Sequence, residues 1–165
     1  MTLMLLVQAA AALAGEPSLA PAIAASRANV AGPSRDLWPG WQEAPFGVLV
    51  VGPQTETLYC HVGAAEGFTA GPVDLQTGCP THTRARFFPE TLQAAFPAVD
   101  GRPTVVVGTP EKTRLSIGSW KAILLHEHFH QWQTSQPDYY AKVNALDLSG
   151  GDATGSWMLN YPFPY

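Results

Sequence analysis

The sequence predicts an α+β domain in which a small mixed sheet is backed by one long helix. Three observations carry this expectation. Short Val-rich runs at 46–52 and 103–109 are each bounded by Gly or Pro, as buried strands are. The stretch from Ser119 to Gln136 contains neither Gly nor Pro and is rich in Leu, Lys, Glu and Gln, all good helix formers. The remaining Gly and Pro, 15 of each in 165 residues, are scattered without a repeat period and so punctuate turns.

The elements follow in order. "MTLMLLVQAAAALA" (1–14) is an apolar run too short to span a bilayer comfortably, closed by the small residues Ala12 and Ala14. It reads as a signal peptide, although its n-region carries no Lys or Arg; the alternative is an ordinary apolar helix. Residues 15–44, rich in Ala, Pro and Ser, read as a leader or linker, which places the folded domain at 45–165. "FGVLVVG" (46–52) is expected as a strand, with "TETLYCHV" (55–62) returning as its hairpin partner. Residues 63–80 read as loop, "TRARFF" (83–88) as a half-buried strand, and 89–96 as a short helix opened by Pro89. "PTVVVGT" (103–109) is expected in the middle of the sheet. Ser119 is the expected cap of the long helix and Gln136-Pro137 its end. A short helix near 139–146 and a Gly-rich loop, "SGGDATG", follow.

Composition excludes some functions. A net charge of −4 with only 9 Lys plus Arg, none clustered, gives no electrostatic footprint for nucleic acid. No stretch after the leader is apolar enough for stable membrane insertion. Cys60 and Cys79 stand in no C-x-x-C pair; in an exported chain they can form one disulfide, and otherwise they are buried thiols. Nucleotide-binding glycine loops and the G-x-S-x-G hydrolase signature are absent.

The informative segment is "LLHEHFHQWQ" (124–133). On a helix, residues four apart lie about 40° apart around the axis and about 6 Å along it, so His126 and His130 point the same way. Two neutral imidazoles so placed can share one zinc ion and leave it positive, which lowers the pKa of a bound water to about 7. Glu127, about 100° round the helix, flanks the ion and is the candidate general base and acid for attack on an amide. Two other readings stand beside this one. The histidines can form an exposed face with no ligand, or "HEHFH" can be an H-x-H-x-H strand binding a metal in a hydrolase of different fold. The scarcity of β-branched residues disfavours the strand. His128 then points away from the metal, as a surface residue or one supporting the ligands. His61 and His82 read as hydrogen-bonded structural histidines, and Tyr139 and Tyr140 as aromatic packing or, less simply, as oxyanion donors.

His126-Glu127-x-x-His130 resembles the active-site helix of the zincin metallopeptidases, of the gluzincin type. The resemblance covers about twenty residues. It implies a zinc peptidase in which His126 and His130 are metal ligands, Glu127 is the catalytic acid/base, and a peptide or protein substrate lies along an edge strand, here Thr104 to Gly108. Two departures are visible. A gluzincin takes its third ligand from a later Glu, and no Glu follows Glu127. The metzincin continuation is replaced by Gln133 and Gln136. Asp147 and Asp152 are the remaining candidates for a third ligand. The uncharged aromatic run "WMLNYPFPY" (157–165) raises the alternative that the fold, and the missing Glu, continue past Tyr165. The expectation is therefore a secreted or periplasmic Zn2+ hydrolase acting on peptide or amide bonds, the alternative being a non-catalytic zincin-like binding or structural domain. Oligomeric state has no signature.

Overall fold

A computed structural model describes residues 18–32 and 37–145. The signal-peptide expectation for 1–14, the C-terminal aromatic run, and both Asp147 and Asp152 lie outside these residues. The architecture is α+β. Helix α1 (Ala20–Ala31) precedes a six-stranded sheet of β1 (Val48–Val51), β2 (Thr55–Tyr59), β3 (Thr69–Asp74), β4 (Cys79–Ala85), β5 (Gln93–Val99) and β6 (Arg102–Gly108). Then come a single helical turn α2 (Pro110–Thr113), the long helix α3 (Ile117–Thr134) and α4 (Tyr139–Asn144). The spatial order is β3-β4-β2-β1-β6-β5, with β1 and β6 parallel and every other pair antiparallel.

Alternation along β1 and β6 divides their side chains between two cores. Val48, Val50, Val105 and Val107 face α1 and α3, where they meet Ile23, Trp120 and Leu124. Leu49, Val51 and Val106 face the opposite side with Leu58, where Phe68, Phe88, Leu92 and Phe96 cover them. Both faces of the central strands are therefore dry, which is why the sequence shows unbroken Val runs there.

Several expectations are corrected. Residues 20–31, expected within a leader or linker, form α1. Ala20, Ala22, Ile23, Ser26 and Val30 are buried, the helix packs against α3, and Ser26 Oγ donates to Lys121 O at 3.3 Å. The loop expected at 63–80 contains β3 and the start of β4. β3 is exposed almost throughout, so it shows no apolar alternation, and its turn is tied by Asp74 Oδ1, which accepts from the N–H groups of Gln76 and Thr77 at 3.0 and 2.8 Å.

The strand expected at 83–88 starts earlier and stops at Ala85. Its end is set by Glu56, a buried carboxylate that accepts from Arg84 Nε at 2.7 Å and from the backbone N–H groups of Phe87 and Phe88 at 2.9 and 2.6 Å. Those two N–H groups are thereby taken out of the ladder. The helix expected at 89–96 is instead a turn over 89–92 followed by the first four residues of β5. Asp100 and Gly101, with φ of 48° and 68°, form the tight turn that folds Gln93–Val99 back on β6. Pro97 pairs opposite Pro103, a position tolerated because β5 is an edge strand. β6, expected as the substrate-lining edge, is interior between β1 and β5.

β6 leads into α3 through a close approach. A side chain at Gly108 would run into the backbone of Glu90, and Gly108 O accepts from Trp120 Nε1 at 2.7 Å. The cap of α3 is Ser116 rather than Ser119: Ser116 Oγ accepts from Ser119 N at 3.1 Å, so cap and helix start both lie three residues earlier than expected.

The buried face of α3 carries a polar lock. Gln131 is fully buried, and its Nε2 donates to Gly47 O at 3.0 Å and to Pro103 O at 2.8 Å. Its Oε1 meets His128 Nδ1 at 2.9 Å. His128, expected at the surface or in support of the metal, is 1 % exposed and stands edge-on to Phe46 and stacked over Trp41. Burial lowers its pKa from 6.5 to about 4 against the opposing pull of the Gln131 hydrogen bond.

The folded state then binds fewer protons than the unfolded chain between those two values. Stability is full above about pH 6.5 and is lost as pH falls toward 4, by roughly 3 kcal/mol in total. His128→Phe keeps an aromatic ring in place and removes the titration. In metal-free protein, thermal melting from pH 7 to 4.5 is expected to drop more steeply for the wild type than for this variant; parallel curves would contradict the buried neutral imidazole.

Candidate metal centre

The lock on one side of α3 decides what the other side presents. With Trp120, Leu124, Glu127, His128 and Gln131 buried, His126 is exposed and His130 half-buried on the neighbouring face. The segment 126–130 is helical throughout, so the H-x-H-x-H strand reading falls.

His126 Nε2 and His130 Nε2 lie 3.1 Å apart, their rings edge to face with centroids 4.7 Å apart. His130 Nδ1 is 2.8 Å from Oε1 of Gln133, one turn on. A carbonyl oxygen only accepts, so Nδ1 must carry the proton, and Nε2 of a neutral His130 is left as a lone pair. That lone pair is directed at the other ring. A neutral His126 carrying its proton on Nε2 donates a hydrogen bond to that lone pair; with that proton lost, a metal ion can bridge the two nitrogens in its place.

The spacing fits a shared zinc. Two nitrogens each about 2.0–2.1 Å from one tetrahedral ion stand about 3.3 Å apart. The donor set is also appropriate, since neutral imidazole is a standard zinc ligand and Gln133 supplies the supporting hydrogen bond that fixes the ring and tautomer of His130. Glu127 is 7 % exposed and is neither hydrogen-bonded nor ion-paired to any described residue. Its carboxylate is thus uncommitted among these residues.

No third His, Cys, Asp or Glu completes a metal-binding group with the pair among the described residues. Asp147 and Asp152 lie outside them. Tyr139 and Tyr140 pack on each other at the start of α4, with ring centroids 5.3 Å apart. Burial, and secondarily Tyr139, raises the pKa of Tyr140, so it keeps its phenolic proton.

Two features escaped the sequence reading. Gln133 occupies the position at which the metzincin pattern has Gly, yet here it holds a candidate ligand. The repeated His-x-x-Gln spacing at 128/131 and 130/133 was the available signal, because side chains three apart on a helix meet. The second is a pair of histidines, His61 and His82, expected to be hydrogen-bonded. Both are buried, but His61 Nε2 and His82 Nδ1 have no hydrogen-bond partner among the described residues.

The cysteines form a disulfide, Cys60–Cys79, with Cα atoms 4.7 Å apart. Such a bond is compatible with a compartment outside the cytoplasm. No helix among the described residues is long and apolar enough to cross a membrane. Comparison of the chain with known protein families, with curated proteins and with solved structures gives no match.

If Gln133 orients His130, Gln133→Ala will weaken zinc binding by roughly 10- to 100-fold while leaving the melting temperature of the metal-free protein within about 2 °C. Competitive titration against a chromogenic chelator measures this. Equal affinity in the two proteins would show that the Gln133 contact does not position a ligand.

Proposed function

We propose that this chain is a zinc-dependent hydrolase of peptide or amide bonds, with His126 and His130 as metal ligands and Glu127 as the acid/base. The observation that carries the proposal is the facing Nε2 pair at 3.1 Å, with His130 held by Gln133. The zincin resemblance of the same five residues agrees with it.

Zinc, when bound, supplies Lewis acidity and makes water acidic enough to ionise near neutral pH. The protein's own part begins with α3, which fixes the two imidazoles one turn apart with their Nε2 atoms facing each other. Glu127 takes the proton of the attacking water and returns it to the leaving amine, a role that needs a carboxylate free of other partners. An extended substrate has the outer edge of β5 available to it, because β6 is interior and α3 packs against both strands. Pro97 offers no N–H there, so main-chain pairing would be concentrated on Gln93 to Phe96. The candidates for the third ligand are Asp147 and Asp152. We place the protein outside the cytoplasm, secreted or periplasmic, on the strength of the disulfide and the apolar N-terminal run.

Glu127→Gln preserves the ligands and removes the base. It is expected to retain zinc while kcat on fluorogenic peptides falls by roughly 10²- to 10⁴-fold. Unchanged turnover would remove Glu127 from the mechanism. Zinc retained by a wild-type protein with no turnover on any peptide or amide would favour the non-catalytic zincin-like domain.

A further inference from the structure

A second group of basic side chains gathers away from α3. A cavity of about 380 Å³ is lined by Arg27 of α1, by His61 just after β2, by His82 of β4 and by the Cys60–Cys79 disulfide. His126 and His130 do not line it.

His61 is 5 % exposed and His82 9 %. Their rings cross edge to face, with centroids 6.3 Å apart. His61 Nε2 and His82 Nδ1 are fully enclosed with no hydrogen-bond partner among the described residues. Asp100 Oδ2 stands 3.4 Å from His61 Nε2, near enough for an ion pair with a protonated ring yet not aligned as a hydrogen bond, and Asp100 does not line the cavity. Arg27 is fixed through Nη1, 2.9 Å from Cys79 Sγ and 3.3 Å from Thr77 O, and pairs with no acid among the described residues. Its other N–H groups are left for a further acceptor.

Buried polar atoms without partners are rare, because each costs its lost hydration. The residues that carry them line, with the exposed guanidinium of Arg27, a cavity whose lining includes no carboxylate, and each neutral ring has one N–H to offer, so the lining suits an acceptor-rich ligand. The last torsion of histidine is broad and two-fold, so either ring can turn a nitrogen toward the cavity at small cost. We propose that this cavity binds a small oxyanion, phosphate or carboxylate, with Arg27 as the charged anchor and His61 and His82 as further donors. The inference is independent of the metal centre.

The test uses the full-length ¹⁵N-labelled protein, stripped of metal and dialysed free of chelator. Histidine side-chain resonances are followed during titration with inorganic phosphate and, separately, with acetate. The proposal expects saturable shifts at His61 and His82 with His126 and His130 unmoved. Tighter phosphate binding would identify a phosphate group and tighter acetate binding a carboxylate. Arg27→Gln should weaken binding about tenfold or more at an unchanged melting temperature, since it removes charge-assisted hydrogen bonds. Should that variant not fold, His82→Phe, which keeps a ring but no nitrogen, should weaken binding instead. Shifts that grow linearly without saturating, or variants that bind as the wild type does, would overturn the proposal and leave water as the occupant.

Discussion

A single buried amide sets the geometry on which the candidate site rests. Gln131 donates to Gly47 and Pro103, which lie at the starts of the two parallel strands, and its oxygen engages His128. These bonds fix both the height of α3 over the sheet and its rotation about its own axis. A rotation of one residue, about 100°, would bury His126 or His130 and expose His128. The alternative is disfavoured because Gln131 would lose three partners in a dry environment, each loss costing about 1–3 kcal/mol. The accessibility of the pair, His126 exposed and His130 half-buried, is thus a consequence of packing on the neighbouring face.

The same economy of buried polar groups shapes the sheet. Glu56 is fully buried and is tolerated because Arg84 and two backbone N–H groups satisfy it. In doing so it bends the chain out of β4, so that Phe88 can cap the second core. His61 Nε2 and His82 Nδ1 are not so satisfied: neither has a hydrogen-bond partner among the described residues, and Asp100 at 3.4 Å is the charged neighbour of the first.

What the sequence made legible follows from range. β1, β2, β6 and α3 rest on uninterrupted local patterns, and all four are found close to where those patterns place them. The His126/His130 pairing was legible for the same reason, since helix geometry alone brings residues four apart together. β5 was misread because Gln-Ala-Ala-Phe is compatible with a helix, while the decisive signal, Asp100-Gly101 between two apolar runs, lay just beyond it. α1 was misread because its packing face adds only Ile23 and Val30 to Ala and Ser, while Ala also occupies its exposed side, which leaves little hydrophobic contrast. The Arg27, His61 and His82 cavity was not legible at all: its members come from three separated elements, and only the assembled sheet and α1 bring them together.

The proposed function requires that the face of α3 carrying His126 and His130 hold a metal. Elemental analysis of zinc per chain tests it most directly, on the purified wild-type protein and on the His126→Ala/His130→Ala double variant with the fold checked by circular dichroism. About one zinc is expected in the wild type and none in the variant. Zinc absent from a folded wild-type protein, or equal in both proteins, would contradict it.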